Sequence, residues 1–119
     1  AVIDTLTSGD LHMNRMHPSV FTDITAGDVA MYGNAITTDM LDLNNFDIGT
    51  WQLTGCGWNV DMDAINADLV YSSCSSSNAP NTVTVSDATI THTNSVTSAL
   101  YARNTVMTVG ETAITSTTA

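Results

Sequence analysis

Between Asp47 and Cys74 the chain places both of its tryptophans, Trp51 and Trp58, both of its cysteines, Cys56 and Cys74, and its densest run of acids, Asp61, Asp63 and Asp68. The tryptophans are the largest apolar groups the chain can bury. The cysteines are its only possible covalent staple. Any fold has to close around this stretch, and what is left to close it is a set of short segments rich in Thr, Ser and Val. Residues 82–117 are the plainest case: NTVTVS, ATITHT, TVMTV and TAITST are β-branched and alternate in polarity, the pattern of half-buried strands.

The rest of the chain reads the same way. Residues 1–8 alternate weakly and are expected as a strand, with a turn at Ser8-Gly9-Asp10. Pro18 ends whatever precedes it. Residues 19–25 and 68–73 are expected strands, and 46–54 is expected as one strong strand broken by Gly55-Cys56-Gly57. Residues 28–43 carry Val29, Tyr32, Ile36, Met40 and Leu43 at helical spacing, but Gly33, Asn34 and the Thr37-Thr38 pair favour strand–turn–strand, with a helix as the alternative. Residues 73–81 form a loop. The chain is expected to fold as a single domain over 1–119, all-β, a compact antiparallel sandwich or jelly roll. Asp10, Asp28, Asp47, Asp68 and Asp87, each followed by an apolar residue, recur at intervals of about 18 to 21 residues. That periodicity suits the turns of a short β-solenoid, which is the alternative architecture.

Composition narrows the function. The net charge is −10, there is no lysine, and Arg15 and Arg103 are the only basic side chains besides histidine. Such a surface repels phosphate backbones, so nucleic acid is not an expected partner. No apolar run reaches the roughly 20 residues of a membrane span. The start at Ala1, with no charged-then-apolar segment, fits a chain whose leader has been removed. With the cysteines this points to an extracellular or cell-surface location, where Cys56–Cys74 forms a disulfide closing a loop of about 19 residues.

Asn59, Asp61, Asp63, Asn66 and Asp68 set oxygen side chains at alternating positions, a pattern that can supply the six to eight oxygens of a calcium ion. Over these ten residues the stretch resembles the calcium loop of dockerins and EF-hands, which implies calcium as a cofactor. It departs from that pattern at Ala64, where a glycine is expected, and in the early position of its last acid. The opposing reading is a strand with the acids outward and Val60 and Met62 inward. His12 and His17, flanking Met13, Arg15 and Met16, are a weaker soft-metal candidate, and His92 reads as a strand-face residue. No nucleophile, zinc-protease or phosphate-loop motif is present, so no catalytic residues are assigned and an enzyme is not expected.

The end segments, 1–8 and 111–119, carry no lysine or proline to blunt an exposed edge. Val2, Ile3, Leu6, Ala113 and Ile114 are therefore expected to pair with neighbouring copies by strand addition, giving a head-to-tail homopolymer. In composition this is similar to donor-strand-complemented surface filaments. The expected function is a structural subunit of an extracellular filament, pilus-like fibre or virion appendage. Two further readings are a secreted calcium-dependent carbohydrate-binding module that stacks sugars on Trp51 or Trp58, and an ice-binding solenoid with a flat threonine face.

Overall fold

The computed structural model describes residues 2–14, 19–34, 40–76, 79–93 and 99–116. Its strands are β1 (Val2–Thr7), β2 (Leu11–Asn14), β3 (Ser19–Thr25), β4 (Val29–Tyr32), β5 (Met40–Asp47), β6 (Thr50–Thr54), β7 (Asn59–Ala67), β8 (Leu69–Ser73), β9 (Asn81–Ser86), β10 (Ala88–His92), β11 (Leu100–Arg103), β12 (Thr105–Val109) and β13 (Thr112–Ser116). Every pairing among them is parallel. An eight-stranded sheet holds β1, β3, β5, β7, β9, β10, β12 and β13, and a five-stranded sheet holds β2, β4, β6, β8 and β11. The chain passes from one sheet to the other and back, so each circuit adds a rung to both. The protein is a β-solenoid, as the alternative architecture proposed, and the expected antiparallel sandwich is wrong. Thr/Val alternation specifies strands but not their direction. Parallel neighbours need a long crossover, and here a strand of the opposite sheet supplies it.

The eight-stranded sheet is bent into two legs. Thr5, Asp23, Asn45, Ala64 and Asp87 all have φ between 48° and 63°, and the registers stack them one above another. One left-handed residue per strand turns the chain and slips its in–out alternation by one, as a bulge does. Leu43 therefore points inward, Asn44 and Asn45 outward, and Phe46 inward again. Asn and Asp tolerate this conformation better than other non-glycine residues. The amide of Asn45 also donates to Asp23 Oδ1 at 2.6 Å.

Inside, apolar residues stack in columns. On the first leg Ile3, Phe21, Leu43, Met62 and Val85 follow one another. On the second, Leu6, Ile24, Phe46 and Ile65 do. On the five-stranded sheet the column is Leu11, Val29, Trp51, Val70 and Leu100. The interior members of these columns are almost wholly buried, and those of the two end rungs only partly.

Two corners join the sheets. At the first, Gly27 N–H donates to Gly9 O, Gly49 N–H to Gly27 O, and Asp68 N–H to Gly49 O. Asp10 Oδ1 accepts the N–H of Asp28 at 2.9 Å, and Asp28 Oδ1 that of Thr50 at 3.1 Å. A side chain at Gly27 or Gly49 would collide with those carboxylates. At the second corner the carbonyls of Gly33, Gly55 and Cys74 accept from Trp58 Nε1 (2.8 Å), Asn81 Nδ2 (2.8 Å) and Asn104 Nδ2 (2.7 Å) respectively. Asn81 is fully buried. It also donates to Ser72 Oγ at 3.1 Å and accepts the Trp58 N–H at 2.9 Å. The Cys56–Cys74 disulfide forms here and ties one rung to the next.

Local expectations fare unevenly. Strands form within 1–8, 19–25, 68–73 and after 81 as expected, and 29–32 and 40–43 are strand rather than helix. The segment 46–54 is two strands, not one, because Ile48-Gly49 turns the corner between sheets. β2 and β11 leave no signal in the sequence: each is four residues long, too short to register as a period.

A Cβ added at Gly55 would run into the Gly33 carbonyl, whereas one at Gly9 meets open space. Gly55→Ala is expected to cost about 3 kcal/mol, and Gly9→Ala to stay within about 0.5 kcal/mol of the parent. Denaturant unfolding followed by circular dichroism reads both, and equal effects would refute the stacked-carbonyl corner. Replacing both cysteines by alanine is expected to lower stability on the order of 3 kcal/mol while leaving the β-sheet spectrum intact.

Candidate functional site

The five proposed calcium ligands do not converge. Asn59, Asp61 and Asp63 point outward from a straight part of β7 while Val60 and Met62 are buried, so the opposing strand reading holds. Alternate residues on a strand stand about 6.8 Å apart, whereas ligands 2.3–2.6 Å from one ion lie within about 5 Å of each other. Asn66 lies past the bend and donates to Asp47 Oδ1 at 3.3 Å. Asp68 sits at the first corner, where its Oδ1 accepts both the N–H and the hydroxyl of Thr93 at 2.8 Å. Ala64, at the position of the expected glycine, is left-handed (φ 57°), but it bends a strand instead of closing a loop around an ion. Among the described residues no group of three His, Cys, Asp or Glu side chains is placed to hold a metal.

The other candidates separate too. His12 is exposed, with its ring 6.2 Å from that of Tyr32 in an edge contact, while Met13 packs against the core; Arg15, Met16 and His17 lie outside the described residues. His92 is buried, with Nδ1 3.3 Å from the Asp68 carbonyl oxygen. Trp51 and Trp58 are 0% and 1% exposed, so neither is a stacking platform for a sugar. The Trp51 indole N–H has no acceptor among the described residues. Val2, Ile3 and Leu6 lie in β1 and Ala113 and Ile114 in β13, the outer rungs of the eight-stranded sheet.

A solenoid is a scaffold on which an ice-binding face can be built; outward threonines pair on the last rungs, Thr84 with Thr108 and Thr91 with Thr115, but do not extend through the earlier ones. The outward columns of the two legs run Val2, Val20, Asp42, Asp61, Thr84, Thr108 and Thr7, Thr25, Asp47, Asn66, Thr89, Ala113. Acids and amides interrupt both.

What the fold does assemble lies on the outside of the five-stranded sheet. Its strands read LHMN, VAMY, TWQLT, LVYSS and LYAR. The inward residues are Leu11, Met13, Val29, Met31, Trp51, Leu53 and their neighbours; the outward ones form two columns. His12, Ala30, Gln52, Tyr71 and Tyr101 make one, and Asn14, Tyr32, Thr54, Ser73 and Arg103 the other, with Ala30 and Ser73 themselves buried. All three tyrosines of the chain are here. Tyr71 and Tyr101 stack with ring centroids 4.5 Å apart and planes 8° from parallel. None of the five strands contains an acid. Every acid but Asp39, which is outside the described residues, lies on the legs of the other sheet, at its bend, or at the first corner. The described acids are thus set apart from an aromatic face that carries none of them. From His12 to Tyr101 that face spans four strand spacings, about 19 Å.

Sequence reasoning missed this face because its parts lie in five segments separated by whole turns. The signal was present in the placement of every tyrosine in an acid-free tetrad or pentad, but only the register brings those segments together. No protein-family model matches this chain, and no curated protein or solved structure matches it either, so a functional reading rests on the geometry alone.

Proposed function

We propose that this protein is a non-catalytic binding module that holds an extended glycan along the outer face of its five-stranded sheet. One observation carries the reading: a face without a described acid that gathers all three tyrosines beside Gln52, Asn14 and Thr54 in two columns. A pyranose has an apolar C–H face and a rim of hydroxyls. Tyrosine offers an apolar body with a polar tip, and amides and hydroxyls donate and accept at the rim. Strand spacing of about 4.8 Å is close to the rise per sugar in an extended chain, so successive rungs meet successive sugars. Tryptophan and calcium, which the sequence suggested for such a module, have no part in it.

Calorimetric titration with a panel of extended oligosaccharides tests the proposal. Tyr32→Ala and Gln52→Ala are each expected to weaken binding about tenfold without changing the unfolding temperature, and Asn44→Ala on the bent sheet is expected to change nothing. If no member of the panel binds at millimolar concentration, the reading is wrong.

A second reading, the self-assembling fibre subunit, is favoured by a different observation. Both end rungs leave a strand edge without a partner among the described strands, and Val2 (79%), Val106 (60%) and Ile114 (47%) are exposed at these rungs. Copies adding end to end would continue the parallel ladders, each terminal strand staying in its own subunit while pairing with the next. The expected outcome is concentration-dependent fibres in electron micrographs, unaffected by chelator and abolished by Ile114→Lys, since a charge on an edge strand blocks pairing. A monomer at millimolar concentration would dispose of the fibre.

A further inference from the structure

We infer that the glycan is an acidic one, and that Arg103 takes the carboxylate of a uronic acid unit seated beside the Tyr71–Tyr101 stack. This inference rests on the glycan-binding reading above and adds to it the class of sugar. Arg103 closes β11, two residues beyond Tyr101 and therefore on the same outward face. In a chain with twelve acids and two arginines, Arg103 would be expected to hold a carboxylate of its own. Its guanidinium instead makes no hydrogen bond or ion pair among the described residues, and it is exposed.

The topology explains why none of the described acids reaches it. The carboxylates of Asp10, Asp28 and Asp68 line the first corner, where the strands of this sheet begin. Arg103 stands level with Ser73, at the other end of those strands. Five residues of strand separate the level of Asp68 from that of Arg103, about 17 Å, roughly twice the screening length of about 8 Å at physiological salt. The strands of the bent sheet that adjoin Arg103 at the second corner, β9 and β12, carry no acid. The guanidinium's forked donors match a carboxylate with two parallel N–H···O bonds, and the tyrosine pair next to it provides the apolar edge for the ring that bears that carboxylate. A neutral sugar would leave this charge unanswered. A chain charged at every sugar would be repelled by the remainder of the protein and would leave its other carboxylates without a described arginine, so what fits is a glycan of mostly neutral sugars with one acidic unit at Arg103.

The test compares an extended oligosaccharide carrying one uronic acid unit with its methyl ester, which is neutral but has the same linkage and length, by calorimetric titration against the full chain. The free acid is expected to bind at least tenfold more tightly than the ester. Arg103→Gln is expected to erase that margin while leaving the affinity for the ester and the unfolding temperature unchanged, and Arg103→Lys to retain part of it. Raising salt from 50 to 500 mM should shrink the margin for the parent and do nothing to Arg103→Gln. Equal binding of acid and ester, with Tyr32→Ala still weakening both, overturns the assignment of the carboxylate and leaves the glycan-binding reading standing. If neither saccharide binds, both fall. If the face instead retains an acidic peptide and no saccharide, the sugar class proposed here is wrong.

Discussion

Each turn of this chain must hydrogen-bond, in parallel and in register, to the turn below it and the turn above. Once that ladder exists, whatever stands at a position in one rung stands over its counterpart in the next. The core is a direct consequence: Ile3, Phe21, Leu43, Met62 and Val85 form one continuous apolar stripe because they share a column. The corners are where the ladder is hardest to keep, since the backbone changes direction there and still needs partners for its buried groups. Side chains supply them. At the second corner Trp58, Asn81 and Asn104 each donate to a carbonyl one turn away, and Asn81 satisfies three groups at once from a fully buried position. Removing its amide would leave a carbonyl and an N–H unpaired, each costing about 1–3 kcal/mol.

The bend of the eight-stranded sheet shows the same constraint acting on residue choice. Through the first five rungs a left-handed residue stands over a left-handed residue, which keeps the parallel ladder in register across the bend. Asp23, Asn45 and Asp87 suit that conformation; Thr5, a β-branched residue, does not and sits at the end rung, while Ala64 occupies the middle of the column with no polar side chain to bond along it. Where the column reaches Asp87 the bend interrupts the strand outright, separating β9 from β10. Side-chain hydrogen bonding along the column, as between Asn45 and Asp23, compensates part of the local backbone cost.

The strands were legible in the sequence because Thr/Val alternation is a local signal. Their direction was not, because it depends on which distant segment each strand meets. The five aspartates that hinted at a solenoid had the right interval but the wrong register. Only Asp10 and Asp28 occupy equivalent places; Asp47 faces outward on the second leg, Asp68 stands over Gly49, and Asp87 is at the bend. The true marker was the glycine before them. Gly9, Gly27 and Gly49, each followed by Asp or Thr and then an apolar residue, stack at one corner. The proposed calcium ligands are spread out for a related reason: alternating oxygens in sequence converge only if the chain curls, and β7 runs as a strand with its first bend at Ala64. The tyrosine-bearing face was illegible because no local window contains two of its rungs.

Parallel stacking also bears on what the acids are for. Asp42 stands directly opposite Asp61 on adjacent strands, and like charges so placed destabilise a sheet. Stability alone would have selected against that pair, whereas Asp10 and Asp28 offset their charge by binding the next turn's backbone. The outward acids of the bent sheet are therefore better understood as keeping its two legs from associating with other surfaces. A flat β-face free of such charge is the one left open to contact, and the five-stranded sheet is that face. The side chains of its tyrosines, of Gln52 and of Arg103, which no described acid reaches, make no hydrogen bond to the ladder among the described residues. Side chains that answer no backbone group, collected on a surface from which the described acids are missing, are the physical ground for proposing recognition there.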